Sequence, residues 1–174
     1  MIGLLRFFGL LNAAVWLGAA VSFTYAIGPG FFSNEMKAIL PPPWNGGAAQ
    51  IILQRYFILL HCCGAVALLH LFLEKIYLGK KIERLTLAIV GATIFLGLLG
   101  GFWFQPKLKD LHLRWYDPRS PVAAREQAHR SFSIWHGASQ TVNLFVMGGL
   151  LVYFWRLSNP PSATRFASSN KFRS

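Results

Sequence analysis

The sequence is poor in charge, and acidic residues are the rarest of its charged residues. Charged side chains make up 13% of the 174 residues, and only 6 are Asp or Glu against 17 Lys and Arg. A soluble domain has roughly 25% charged residues. Because 54% of the residues are hydrophobic, the composition predicts a membrane protein.

The hydrophobic segments have no acidic residue in their cores. All six carboxylates fall in loops or at segment ends: Glu35, Glu74, Glu83, Asp110, Asp117 and Glu126. Proton- and cation-coupled transporters typically carry an acid inside the membrane. The absence argues against ion-coupled active transport.

The sequence also lacks a disulfide framework and the motifs of common enzymes. Its two cysteines, Cys62 and Cys63, are adjacent, and neighbouring side chains on a helix point about 100° apart, which is poor geometry for a disulfide. No nucleophile–base pattern, phosphate-binding loop or carboxylate pair occurs. We therefore name no catalytic residue, and the sequence leans against an enzyme without deciding the matter.

The net charge of +11 comes from basic residues that lie between and after the hydrophobic segments. This arrangement suits anionic lipid headgroups, and no nucleic-acid-binding motif accompanies it. The predicted partners are the lipid bilayer and its anionic headgroups, and no nucleic acid is expected.

Four hydrophobic segments are present, at residues 2–27, 51–77, 85–104 and 129–157. Each is long enough to cross a hydrocarbon core of about 30 Å as a helix. The predicted fold class is all-α, an integral membrane bundle of four transmembrane helices. We number these spans one to four.

The connections carry turn residues and one short amphipathic stretch. The Gly-Pro-Gly at residues 28–30 and the Gln-Pro at 105–106 are predicted to end spans one and three. Residues 107–116 have apolar side chains near helical spacing, which predicts a short interfacial helix between spans three and four. His112, in that stretch, is predicted to lie on the surface.

The domain organisation is predicted to be simple. Residues 1–157 form a single four-span domain, and residues 158–174 form a basic, disordered cytoplasmic tail. No internal repeat is evident. The expected location is the cell membrane, in a bacterial inner membrane with both termini cytoplasmic, because the short second loop is dense in positive charge.

Span four carries a polar stripe where lipid or core would favour Leu. His129, His136 and Asn143 are spaced i, i+7, i+14, with Ser139 and Gln140 between them. This spacing places them on one helix face. Polar groups within a membrane span are costly unless they face a partner or a wet cavity, so this face is the candidate site.

Span two carries a similar pair, Gln54 and His61. Spans two and four run in the same direction, so His61 and His136 could converge if these spans were neighbours. Two imidazoles from two helices are one way to hold haem iron or copper. The alternatives are a hydrogen-bonded core that fixes helix packing and a small-molecule or lipid cavity. The ligand or metal candidates are His61, His129, His136, Gln140 and Asn143.

Other polar residues are expected to be structural. Asn12 is predicted to join helices by hydrogen bonding, and Gln54 and Ser139 to belong to the polar core. His70 and Glu74 are spaced i, i+4, which favours a local pair at the cytoplasmic rim.

Several blocks of the sequence resemble a known family. Residues 14–23 leading to 28–32, the step at 105–108 and above all the block 129–143 are similar to the bacterial membrane family of unknown function that includes eukaryotic transmembrane protein 205. The resemblance extends from Leu10 to Trp155. It implies a four-span bundle in a membrane and no settled activity. A more distant similarity is to the membrane domain of the copper-resistance protein D type.

The sequence thus predicts a multi-pass membrane protein without evident catalytic machinery, whose His, Gln and Asn interior supports packing or binds a small ligand. Two alternatives stay open. One is a haem- or copper-binding protein that uses His61 and His136. The other is an accessory subunit that docks on a membrane-protein partner through its aromatic outer face.

Overall fold

A computed structural model describes residues 2–79 and 82–159 of the chain. Within these residues every regular element is a helix. Span one consists of α1 (Ile2–Ser22), a π-helical turn (Phe23–Ile27) and α2 (Gly28–Phe31). Loop one holds α3 (Asn34–Ile39), and span two is α4 (Trp44–Leu78).

Span three is likewise built from three consecutive pieces. They are α5 (Arg84–Leu99), a second π-helical turn (Gly100–Phe104) and α6 (Gln105–Trp115). Span four is α7 (Val122–Ser158). All four spans are long and apolar enough to cross a membrane. The predicted all-α, four-span fold is therefore confirmed, and the protein is a multi-pass membrane protein.

The two prolines predicted to end spans one and three do not end them. Pro29 and Pro106 each lie two residues after a π-helical turn. The N–H of Gly28 bonds the Phe23 carbonyl, and the N–H of Gln105 bonds the Gly100 carbonyl. Proline in a helix clashes with the preceding turn and lacks an N–H to donate. The wider π turn accommodates that ring, so the helix continues. The predicted interfacial helix is found as α6, which is continuous with span three.

The helical ends also extend beyond the apolar runs. Spans two and four begin about two turns before the predicted positions, at Trp44 and Val122. Hydropathy follows the hydrocarbon core, whereas a helix continues as long as its backbone hydrogen bonds do. At the other end, residues 160–174 of the predicted tail lie outside the described residues.

The spans form a closed ring in chain order. Span one packs against spans two and four, and span three packs against the same two. Spans two and four therefore lie at opposite corners of the bundle. The core between them is formed by side chains at three- and four-residue intervals on each helix, among them Ala13, Trp16, Ala20, Leu60, Cys63, Val90, Leu150 and Tyr153.

Polar contacts join spans three and four at one end of the bundle, the end at which the described residues begin and finish. Arg156 of span four forms an ion pair with Glu83 at the start of span three. Thr86 donates a hydrogen bond to the same carboxylate (3.2 Å) and accepts one from Arg156 Nε (3.1 Å). The hydrogen bond from Arg156 lowers the pKa of Glu83, and the exposed carboxylate stays ionised above the acid range.

One short motif occurs in both halves of the chain. Span two contains Arg-x-Phe-x-x-x-His from Arg55 to His61, and span four contains it from Arg130 to His136. In each copy the imidazole stacks on the Phe four residues before it, at 6.3 Å in span two and 5.6 Å in span four. A π turn before a proline also occurs once in each half, in span one and in span three. Each half is a helical hairpin, formed by spans one and two and by spans three and four.

Candidate functional site

A cavity of about 280 Å³ lies among the four spans, in the half of the bundle near loops one and three. Its volume is close to the lower end of small-molecule pockets, roughly 300–1,000 Å³. Both π turns line it, through Phe23 and Thr24 in span one and through Gly100 and Phe104 in span three. π-helical turns are often found at functional sites.

The wall of the cavity is mainly apolar and carries polar but uncharged groups. Among the described residues, no Asp, Glu, Lys or Arg lines it. The polar side chains that do are Thr24, Gln50, Tyr56, Gln105, His112, His136, Ser139, Gln140 and Asn143. An arrangement of this kind favours a neutral molecule that is largely apolar and has a few hydrogen-bonding atoms.

Three of the spans are joined at the cavity by Asn143. Its Nδ2 donates to Thr24 Oγ1 at 2.7 Å, and Thr24 in turn donates to the Ala20 carbonyl at 2.7 Å. The Tyr56 hydroxyl donates to Asn143 Oδ1 at 3.5 Å. Asn143 therefore has its own hydrogen bonds and supports the wall of the cavity. The sequence prediction identified Asn143 but missed Thr24 and Tyr56.

His136 lies on the wall in a different way. Its Nε2 is 3.0 Å from the amide nitrogen of Gln140, one turn further along α7. Because that amide nitrogen can only donate, Nε2 is the acceptor and the ring proton lies on Nδ1. The ring stacks on Phe132 with an interplanar angle of 8°. His136 and Gln140 thus remain available as hydrogen-bonding groups for a molecule in the cavity.

His61, the predicted partner of His136, lies elsewhere. Its Nε2 is 3.3 Å from the Gly97 carbonyl of span three, and its ring stacks on Phe102 at 5.5 Å. It is not among the residues that line the cavity. His61 and His136 therefore do not converge, because His61 faces span three whereas His136 faces the cavity.

His129 does not reach the cavity either. It is exposed and stacks on Trp115, with ring centroids 4.0 Å apart and an interplanar angle of 20°. Together with Arg125 and Glu126 it borders a shallow depression at the end of the bundle. Of the predicted polar stripe, only the part from His136 to Asn143 faces the interior cavity.

The residues predicted to be structural are found in various surroundings. Asn12 donates to the Cys63 carbonyl at 3.0 Å and joins spans one and two. Buried His70 lies 3.1 Å from the Leu5 carbonyl of span one, packed over Gly9, where a Cβ would collide with its ring. Ser139 bonds the His136 carbonyl of its own helix at 2.8 Å. Gln54 is exposed and Glu74 is half-buried.

The prediction that His112 lies on the surface is wrong. Its side chain is buried against the rings of Trp115, Tyr116 and Phe132, and it lines the cavity. The imidazole rests on the backbone of Gly46 at the start of span two, where any side chain would collide with it. Because α6 continues span three and packs against spans two and four, it carries His112 into the bundle, which the local polar sequence did not indicate.

The mouth of the cavity is indicated by the lining residues that remain exposed. They are Pro29 and Phe32 at the end of span one and Gln140 of span four. Spans one and four are neighbours in the ring, and Pro29 and Gln140 lie within their membrane spans. The opening therefore lies between these two helices, near the end of span one.

A model of a domain of unknown function, DUF4149, matches residues 11–116. The chain belongs to this family. The match covers most of span one, all of span two and span three through α6, while span four lies beyond it. No curated protein and no solved structure matches the chain. The DUF4149 match agrees with a family of unknown function, and the resemblance to transmembrane protein 205 stays a prediction.

The metal hypothesis for this DUF4149 protein depends on side chains that converge. Among the described residues, no group of three or more His, Cys, Asp or Glu side chains is arranged to hold a metal ion. The two histidines named for haem or copper have separate surroundings, a carbonyl of span three for His61 and the cavity for His136. The geometry gives that hypothesis no support.

Proposed function

We propose that this DUF4149 protein binds a small, uncharged and mainly apolar molecule that enters its cavity from the bilayer. The observation that carries the proposal is the mainly apolar cavity, open between the apolar spans one and four. A molecule dissolved in the lipid would reach this mouth without crossing water.

The chemistry of the wall supports a neutral ligand. With no charged side chain among the described lining residues, an ionised ligand would lose its hydration without gaining a counter-charge, which is costly in a medium of low polarity. The polar groups that are present would each pair with a hydroxyl or carbonyl oxygen. Burial of the apolar part then supplies most of the binding free energy.

A photoreactive long-chain alcohol tests the proposal. The full chain is placed in phosphatidylcholine nanodiscs, exposed to hexadecanol that carries a diazirine group, irradiated and digested for mass spectrometry. We expect labels on cavity residues such as Leu53 and Val146, in addition to the lipid-facing surface. Labelling confined to the lipid-facing surface would contradict the proposal.

A filled cavity provides the control. Ala49 lines the cavity and Ala65, on the same helix, is exposed to lipid. Ala49→Trp should abolish cavity labelling because the indole occupies the space, whereas Ala65→Trp should leave it unchanged.

The accessory-subunit hypothesis concerns the outer face of the bundle. Large aromatic side chains are exposed there, among them Phe72, Phe95, Phe102, Phe145 and Trp155. Lipid covers such a face in any membrane protein. The exposed aromatic side chains therefore do not distinguish an accessory subunit from a protein that binds a small ligand. Co-purification with a stoichiometric partner is the measurement that would.

A further inference from the structure

The flat surfaces of the cavity wall point to the shape of the ligand. Two pairs of near-parallel rings line it. Phe23 and Tyr56 stack at 4.5 Å with an interplanar angle of 17°, and Phe132 and His136 at 5.6 Å with 8°. Aromatic rings gain more from stacking on another ring than their buried area alone provides. A wall of this kind favours a ring over a flexible chain.

The hydrogen-bonding groups point to oxygen on that ring. Gln140 donates one amide proton to His136 Nε2, which leaves the second amide proton and the Nδ1 proton of His136 as donors. Asn143 and Thr24, in contrast, already bond each other and their neighbours. His136 and Gln140 therefore have free donors in the cavity wall, and these fit an oxygen acceptor.

One lining group also needs a donor. The side-chain oxygen of Gln50 in span two is buried and has no hydrogen-bond partner among the described residues. A buried amide oxygen without a donor costs free energy, so such atoms in native proteins require an explanation. This oxygen is closed to a water-sized molecule, so a ligand hydroxyl would donate to it once the Gln50 side chain turns towards the cavity.

We propose that the ligand carries a hydroxylated ring, the chemistry of phenols and quinols, and that His136, Gln140 and Gln50 bind its oxygen atoms. This inference rests on the proposed function, because it assigns the ligand class of the same cavity. His136 and Gln140 donate to the ring oxygen, and a ring hydroxyl donates to Gln50.

The repeated motif offers a matched control for His136. His61 holds the same place in the first Arg-x-Phe-x-x-x-His copy and also stacks on its Phe, yet it contacts the Gly97 carbonyl and lies outside the cavity wall. The same substitution at both positions removes an equal side chain from an equivalent place. Only the substitution at His136 removes a group from the cavity.

Competition against the photoreactive alcohol measures the preference. Three competitors share a ten-carbon chain: 4-decylphenol, decylbenzene, which lacks the oxygen, and 1-decanol, which lacks the ring. Two hydrogen bonds of ordinary strength correspond to roughly tenfold or more in affinity. We expect 4-decylphenol to displace cavity labelling at about a tenth of the concentration that decylbenzene needs. Because 1-decanol has the same hydroxyl, only ring stacking separates it from 4-decylphenol, and we expect a preference of roughly two- to tenfold. Both ratios are corrected for partition of the competitors into the nanodiscs.

The variants assign the effect to residues. We expect the concentration of 4-decylphenol that displaces cavity labelling to rise towards that of decylbenzene in His136→Leu, Gln140→Leu and Gln50→Leu. His61→Leu should keep the wild-type ratio of the two concentrations. Gln140 is exposed, so its variant keeps the test valid if His136→Leu fails to fold.

Three results would overturn the inference. If decylbenzene competed as well as 4-decylphenol, the ligand oxygen would have no role. If 1-decanol competed as well, the ring would have no role. If His61→Leu and His136→Leu had equal effects, the assignment of the binding residues would be wrong. In each of these, cavity labelling by the alcohol itself would leave the proposed function intact. Absence of cavity labelling would instead overturn both proposals.

Discussion

Two histidines with the same local sequence have different environments in this protein. His61 and His136 each follow Phe by four residues and Arg by six, and each stacks on that Phe. The first bonds a backbone carbonyl of span three, and the second lines the cavity beside Gln140. The motif therefore specifies the stacking, while the neighbouring helix decides whether the imidazole is available to a ligand.

Gly46 and Gly47 form a natural pair for a test of the contact between His112 and span two. A Cβ on Gly46 would collide with the His112 ring, and one on Gly47 would meet nothing. We expect Gly46→Ala to lower the free energy of unfolding by about 1–3 kcal/mol, the usual cost of overpacking. Gly47→Ala should be neutral or slightly stabilising, because Ala favours a helix over Gly. Thermal unfolding in detergent measures both.

The double variant Gly46→Ala with His112→Ala serves as the control for this prediction. If the imidazole causes the loss, the cost of Gly46→Ala should shrink when His112 is already Ala. Equal costs in the two backgrounds would mean that the contact is not the cause.

At the scale of elements, the π turns explain why two predicted helix ends were wrong. Pro29 and Pro106 are strong signals for the end of a helix, and the local sequence contains nothing that cancels them. A π turn precedes each proline, and the helix continues through it. Both π turns also line the cavity. Helical periodicity in a sequence presupposes a constant number of residues per turn, so the extra residue of a π turn leaves no signal in it.

The contact between spans three and four predicts a pH effect. The pKa of Glu83 is lowered by its hydrogen bond from Arg156. A carboxylate with a lowered pKa in the folded state stabilises that state above its unfolded pKa, about 4.3 for Glu, and this stability is lost as the pH falls through the folded value. Glu83→Gln should therefore flatten the acid limb of melting temperature against pH in detergent.

Glu126→Gln is the matched control for that experiment. Glu126 is exposed and its partner Arg130 lies 3.9 Å away on the same helix. Its removal should leave the acid limb as in the wild type, since such exposed pairs contribute little to stability. An acid limb in Glu83→Gln that coincides with the wild-type curve would refute the role of the Glu83–Arg156 pair.

At the scale of the whole molecule, orientation is the next quantity to measure. With both termini inside, nine of the 17 basic residues are cytoplasmic and eight are not, so the total is indecisive and the dense second loop decides the prediction. In a bacterial host, green fluorescent protein fused at the C-terminus should fluoresce, and alkaline phosphatase inserted after Leu40 should be active. Phosphatase activity at the C-terminus would show the reverse orientation.

The sequence by itself determined the class of protein, the number of spans and part of the site. Scarce charge and four long apolar runs leave a helical bundle as the fold that satisfies the backbone in lipid, and polar residues in span four identified His136, Gln140 and Asn143 because such residues are costly there.

Only the tertiary structure decided which spans are neighbours, and so which polar residues meet. The ring order separates spans two and four and joins spans one and four at the mouth. It brings Thr24, Tyr56 and His112 to the cavity and places His61 outside its wall. The physical reason is that helix periodicity defines a face on each span, whereas the partner of that face depends on packing between residues far apart in sequence.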